Sequence, residues 1–400
     1  MRDEANRNDA RGRVVILGAG LAGLTVAREL RKLDRERPIT VVTRDDGHFY
    51  PKPSLSNALA QAKAPDALVT TPGPAIAAQL GITLRARTRV EGIDLRARAV
   101  RTTEGPIGYD KLVLALGADP IALELEGDAL AALRPVNDLE DYRAFREGVR
   151  DGARVAILGA GLIGSEFAND LLAARAEVDV VDLAARPLSA LLPERAGRWF
   201  ASRLASAGVR WHLGDAAQAL SWHEGALALE LRSGARLRAD TVLSAVGLRP
   251  RTALAAAAGL KAGRGIDVDA FGATSDPHVY ALGDCAHYSG RWLPYVQPIM
   301  VAGRALAATL AGRPTPIDFG AMPVVVKTPA CPVAVLPPPD HVRGRWECAE
   351  GDDALAMSFL DEEDRLEGFA LLGAASARRR ECVQQLGRRF TADPKLAACV

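Results

Sequence analysis

A strand, glycine turn and helix occur in succession twice in this chain, and that repeat limits the fold more than any other feature. Arg13 to Leu30 reads RVVILGAGLAGLTVAREL, a short apolar run, a glycine turn, then apolar residues at helical spacing. A second strand is expected at Ile39 to Val42, past a helix stop around Arg35 to Pro38. Arg154 to Leu172, RVAILGAGLIGSEFANDLL, repeats the design, followed by an apolar strand at Val178 to Val181. Each βαβ unit implies parallel strands. The copies stand about 140 residues apart, roughly one domain length, which predicts two dinucleotide-binding domains.

The glycines have separate tasks. Gly18 permits the tight turn, Gly20 lets a pyrophosphate approach the backbone, and Gly23 lets helix pack on strand, with the helix N-terminus facing the phosphates. Gly159, Gly161 and Gly164 repeat the set. An acid is expected about 20 residues past the last glycine to hold a ribose. In the first copy Thr43 stands there, a weaker partner, beside Arg44, which reads either as a phosphate or adenine contact or as a solvated surface arginine. In the second copy Asp182 follows Gly164 by eighteen residues. A carboxylate there accepts both ribose hydroxyls and repels a 2′-phosphate, favouring NADH over NADPH, although an Asp at a strand end also caps turns.

Composition narrows the rest. The chain has 400 residues, 48% apolar and 25% charged, with 50 Lys plus Arg against 49 Asp plus Glu. Neither wholesale disorder nor nucleic-acid binding fits that balance. The charged start MRDEANRNDARGR and the lack of a long apolar run predict a soluble, cytoplasmic protein without membrane insertion. The five cysteines are scattered with no CxxC pair, so reduced thiols are expected. Cys285 in particular reads as a core thiol. The six histidines do not cluster at metal-ligand spacing, and no metal site is expected, so redox chemistry requires an organic cofactor.

Two strands ending in glycine, KLVLALG (Lys111 to Gly117) and TVLSAVG (Thr241 to Gly247), read as crossings between domains. From Pro323 the texture becomes β-rich and proline-broken (VVVKTPACPVAVLPPP), with further strands at Ala354 to Phe359 and Leu366 to Leu372, which predicts a small α+β domain. From Ala374 onward Arg378, Arg379, Arg380, Arg388, Arg389 and Lys395 face only Glu381 and Asp393, either a basic docking face or a solvated helix face.

The two glycine turns, the LALG and SAVG strand ends and the late segment TSDPHVYALGDCA (Thr274 to Ala286) resemble the FAD-dependent pyridine nucleotide oxidoreductase superfamily over nearly the whole chain. The resemblance implies an α/β fold with two Rossmann-like domains of the glutathione-reductase type plus the C-terminal domain. Its parts would be a charged tail at 1–12, a discontinuous FAD domain at 13–117 and 248–322, an NAD(H) domain at 118–247, and the α+β domain at 323–400. No redox cysteine pair is present; in its place stands FYPKPSLS (Phe49 to Ser56), similar to the ferredoxin and rubredoxin reductase branch. PVNDLEDY, SAVGLRPRT and VKTPACP draw the likeness toward bacterial rubredoxin–NAD⁺ reductases.

Carried over, the FAD contacts would be Ala19, Gly20, Leu21, Ala22, Gly23, Thr43, Arg44, Lys52, Val90, Glu166, Asp284, Val296 and Lys327. Lys52 and Glu166 would face the flavin as a catalytic ion pair, since buried together they can stay charged. Glu166 is expected in the first turn of its helix, where the dipole favours a carboxylate. Lys327, in an apolar strand, needs an acceptor, and Val296 is expected at a helix start that would steady negative charge on the reduced ring. The implied activity moves hydride from NADH to FAD, then single electrons to rubredoxin or a similar small acidic iron protein, with a monomer favoured. A ferredoxin reductase of a monooxygenase system, a reductase serving flavodiiron proteins, and a non-catalytic FAD/NADH sensor are the alternatives.

Overall fold

The computed structural model describes residues 12–390. The charged tail through residue 11, and Asp393, Lys395 and Cys399 of the C-terminal stretch, lie outside the described residues. The chain divides into two compact units, one of residues up to Lys52, Asp66–Asp119 and Leu248–Gly320, the other of Pro53–Pro65, Pro120–Gly247 and residues from Ala321 onward.

The first unit is built on a five-stranded parallel sheet. Its order is Val279–Ala281, Lys111–Leu114, Val14–Leu17, Ile39–Val42, Thr83–Arg85. Val14–Leu17 is buried at every position, as a central parallel strand covered on both faces must be. Helix Leu21–Leu33 buries Leu24, Val26, Ala27 and Leu30 and carries Arg31 and Lys32 in its last turn, where cations suit the dipole. It packs on helix Val296–Leu310 at a point where only glycine fits: a Cβ on Gly303 would stand 2.6 Å from the Thr25 methyl.

The second unit repeats the parallel sheet, in the order Val209–Leu213, Glu177–Asp182, Arg154–Leu158, Thr241–Ser244, Leu133–Pro135. A five-stranded antiparallel sheet, ordered Val324–Val326, Val333–Leu336, Leu366–Gly373, Ala354–Asp361, Gly344–Glu350, belongs to the same unit. The strands expected from Pro323 onward are thus joined by one more at the sheet edge, Gly344–Glu350. Its half-buried polar alternation hid it from the apolar pattern.

Inside the second parallel sheet Asp179 is a buried carboxylate. Burial pushes its carboxyl up, but hydrogen bonds and charge from Arg210 (3.0 and 2.8 Å) and His212 (2.9 Å) outweigh burial and hold it below the ordinary 3.8. A depressed carboxyl contributes stability above 3.8 that is lost as pH falls through the folded value. Asp179→Asn is therefore expected to lower stability at neutral pH by roughly 1–3 kcal/mol. It should also flatten the loss of stability below the ordinary carboxylate value, read by urea unfolding across an acid pH series.

Candidate functional site

The first-unit glycine turn is shaped by three clearances. Gly18 has φ +114°, and a Cβ there would lie 2.2 Å from the Ala115 carbonyl oxygen. A Cβ on Gly23 would lie 2.0 Å from the Gly18 oxygen, so helix and strand meet at bare backbone. At Gly20 nothing stands within 4 Å. That open side borders the start of helix Leu21–Leu33, whose N-cap Gly20 offers no side-chain cap, and it fits a diphosphate held by first-turn N–H groups. Ala19 and Ala22 are buried, with Leu21 half-buried at the helix start.

Around this turn the first unit gathers some expected residues and sets others apart. Gly283, with φ +78°, would place a Cβ 2.9 Å from the Ala22 methyl, so the Gly283–Asp284 turn lies against the glycine helix. Asp284 is half-buried; burial pushes its carboxyl up, and the charges of Lys52 and Arg251 pull the other way. Lys52 opens a 3₁₀ turn, Lys52–Asn57. Thr43 is buried, and its hydroxyl donates to Asp45 at 2.7 Å. Arg44 is exposed. Val296 is the first residue of its helix, as the pattern predicts, and is 43% exposed. Val90 opens a strand of a small antiparallel sheet, paired with Thr102.

Cys285 is fully buried between the carbonyls of Leu114 and Leu282, and burial pushes its thiol up to about 11. It is a core thiol. The described cysteines, Cys285, Cys331, Cys348 and Cys382, are all free. Among the described residues no group of three or more His, Cys, Asp or Glu side chains is placed to hold a metal ion.

The second-unit turn repeats the clearances. Gly159 has φ +105° with its Cβ position 2.5 Å from the Ala245 oxygen, and a Cβ on Gly164 would reach the Gly159 oxygen at 1.9 Å. Nothing stands within 4 Å at Gly161, so this turn fits a second diphosphate. Asp182 ends its strand beside the turn, where its carboxylate accepts from Ala160 N at 2.5 Å and Ala184 N at 2.7 Å. It therefore ties the turn to the strand end, and each oxygen keeps further lone pairs for a ribose.

Glu166 departs from expectation in its place on the helix and meets a cation that the expectation did not pair with it. Helix Leu162–Ala173 starts after Gly161, which puts Glu166 in the second turn with no role at the helix dipole. Its side chain is 1% exposed, and the cation on it is Lys327, whose Nζ lies 2.7 Å from Oε2 and whose backbone N donates to Oε1 at 2.9 Å. Ser56 Oγ donates to Oε2 at 2.5 Å. Lys327 follows the strand Val324–Val326, which ends one residue short of it, and that end position leaves its backbone N–H for Glu166. Lys52, the partner the resemblance assigns to Glu166, sits in the first unit beside Asp284.

The same helix face holds two more buried polar groups that sequence inspection passed over. Asn169 Oδ1 accepts from Ala330 N at 3.0 Å, and Asp170 accepts from Leu59 N and Ala60 N at 3.1 and 2.8 Å. Burial pushes the Asp170 carboxyl up, against the pull of those N–H groups. The signal was present in SEFAND, four polar residues within a helix whose neighbours are apolar.

The arginine-rich end is partly neutralised within the chain. Arg378 pairs with Glu381 at 3.0 Å, Arg389 approaches Asp364 at 4.0 Å, and Arg345 meets Asp364 at 2.7 Å. The hairpin turn Asp361 to Asp364 (DEED) thus faces that stretch, while Arg380 and Arg388 remain exposed.

Comparison with known proteins places the chain among flavoprotein reductases. The family model described as pyridine nucleotide-disulphide oxidoreductase matches residues 12–308, and one described as rubredoxin binding C-terminal domain matches residues 316–386. A rubredoxin-NAD(+) reductase of Alcanivorax borkumensis is 45% identical over 93% of this chain and 98% of that protein. One of Acinetobacter baylyi is 42% identical over 93% of this chain and 97% of its own. The structure of a covalent putidaredoxin reductase–putidaredoxin complex aligns with a TM-score of 0.86 at 27% identity, covering 96% of this chain and 95% of that one.

The three clearances separate folding from binding. Gly20→Ala and Gly161→Ala should melt within a few degrees of the parent, yet each should bind its dinucleotide about tenfold or more weakly. Gly23→Ala and Gly164→Ala should lower the melting temperature itself, read by thermal unfolding beside ligand titration.

Proposed function

The chain belongs to the pyridine nucleotide-disulphide oxidoreductase family, and from that premise we propose that it is an FAD-dependent NADH:rubredoxin reductase. The observation that carries this reading is the pair of open turns, each at an uncapped helix start, one of them closed by a strand-end carboxylate at Asp182. Bound FAD supplies the conversion of a two-electron hydride into single electrons.

The chain's own residues bind, orient and hold charge. The turn Gly18, Ala19, Gly20, Leu21, Ala22, Gly23, with Thr43, Arg44, Lys52, Val90, Asp284, Val296 and Lys327, binds FAD in this reading. The discontinuous portion 13–117 and 248–322 is its domain. Gly159, Gly161, Gly164 and Asp182 bind NADH within 118–247; the Asp182 carboxylate engages the ribose and disfavours a 2′-phosphate. Glu166 with Lys327 keeps opposite charges paired, with Lys52 as a further cation for the flavin in this reading. No thiol pair serves as an electron relay, because the first cysteine in the chain is Cys285 and it is a core thiol.

The acceptor is rubredoxin or a similar small acidic iron protein, received by the α+β portion 323–400. The family match over residues 316–386 supports that assignment. Free thiols among the described residues and the demand for NADH favour a cytoplasmic enzyme, and a monomer is the oligomeric state proposed with it. No helix among the described residues is long and apolar enough to cross a membrane. A ferredoxin as acceptor is the second reading, favoured by the likeness to a reductase captured with putidaredoxin.

Two measurements test this. Under anaerobic conditions the yellow protein should bleach with NADH and be reoxidised by rubredoxin faster than by a [2Fe–2S] ferredoxin, with a rate that falls as salt rises. Reoxidation by the ferredoxin alone would move the acceptor to the second reading, and a protein that NADH leaves oxidised would remove the enzymatic one. Asp182→Ala should weaken NADH binding by about tenfold and narrow the preference over NADPH.

A further inference from the structure

We propose that Ser56 is a positioning residue for the reductase reaction, its hydroxyl orienting the Glu166 carboxylate and the Lys327 ammonium as one unit. The proposal rests on the function proposed above and names a residue that neither the glycine pattern nor the superfamily resemblance assigns.

Ser56 is 3% exposed, in the turn Lys52–Asn57. Its Oγ lies 2.5 Å from Glu166 Oε2 and 3.0 Å from Lys327 Nζ, while Nζ is 2.7 Å from the same Oε2. A serine hydroxyl has one proton and two lone pairs. The carboxylate takes the proton, and the ammonium donates to a lone pair. The Ser56 contact to the Pro53 carbonyl, at 3.4 Å, is left without that proton.

The closed triangle has consequences for both ions. Glu166 is buried with three donors, the Ser56 hydroxyl and the backbone and ammonium N–H groups of Lys327. Removing one leaves a buried anion short of a donor, where charge-assisted hydrogen bonds matter most. Lys327 is held by Glu166, Ser56 and the Pro53 carbonyl, and its side chain is 34% exposed, so a lost acceptor frees the ammonium toward water. Ser56 thus acts through the two charged groups.

The position of the turn supports a role beyond packing. Pro53–Pro65 is remote in sequence from the rest of its unit, yet Leu59 N and Ala60 N are fastened to Asp170, one helical turn beyond Glu166. The helix holds the middle of the segment by backbone groups, and Ser56 reaches the ion pair by its side chain.

The test uses the FAD-loaded protein and two backgrounds. Ser56→Ala should slow anaerobic flavin reduction at saturating NADH by about tenfold with NADH affinity unchanged. In the Lys327→Met background the same substitution should change the rate by less than about twofold, because the Glu166–Lys327 unit through which Ser56 acts is already broken. A second readout does not depend on turnover: acylation of Lys327 by a water-soluble N-hydroxysuccinimide ester, followed by mass spectrometry, should be several-fold faster in Ser56→Ala than in the parent. Unchanged Lys327 acylation, or the same rate loss in both backgrounds, would overturn the proposal. If NADH fails to reduce the parent protein, the proposed function falls, and acylation alone decides whether Ser56 holds Lys327.

Discussion

The carboxylate of Glu166 is the interaction on which the second unit's polar organisation depends. A carboxylate at 1% exposure is tolerated only when its lone pairs are met, and here they are met by residues more than a hundred positions away in both directions. Helix Leu162–Ala173 therefore works as a clamp as well as a crossover. Its Glu166, Asn169 and Asp170 fasten the segment from Pro53 and the turn from Lys327 to Ala330, and the apolar residues of the helix pack on the sheet. A buried ion pair adds little net stability against an apolar equivalent, so its worth lies in fixing which segments meet.

The glycine turns follow a different logic. Their conformation is dictated by close approach: backbone oxygens stand within 2.5 Å of where a Cβ would be at Gly18, Gly23, Gly159 and Gly164. At Gly20 and Gly161 the same backbone faces open space. Packing thus accounts for two glycines of each turn, and the third leaves a stretch of open backbone at a helix start.

The C-terminal charges show the limit of counting. The arginine run reads as a basic face, but the sheet returns the acidic turn Asp361 to Asp364 against part of it. Which arginines remain for a partner is settled by strand register, since Arg389 and Arg365 are bridged across neighbouring backbone and Arg345 is carried in on the edge strand.

Much of the architecture was legible because local physics is written in local sequence. Apolar runs bounded by glycine located the central strands, the doubled turn announced two nucleotide units, and Asp182 and Asp284 stand at turns beside the glycine helices where spacing and resemblance put them. The partner of Glu166 was not legible. Ser56, Lys327 and Asp170 are separated by more than a hundred residues from their contacts or act through backbone groups, and no periodicity records such pairings. Sequence alone determined where dinucleotides can lie, because a turn without side chains is a property of consecutive residues; only the tertiary structure decided which charges share a site, because burial makes distant groups compete for one carboxylate.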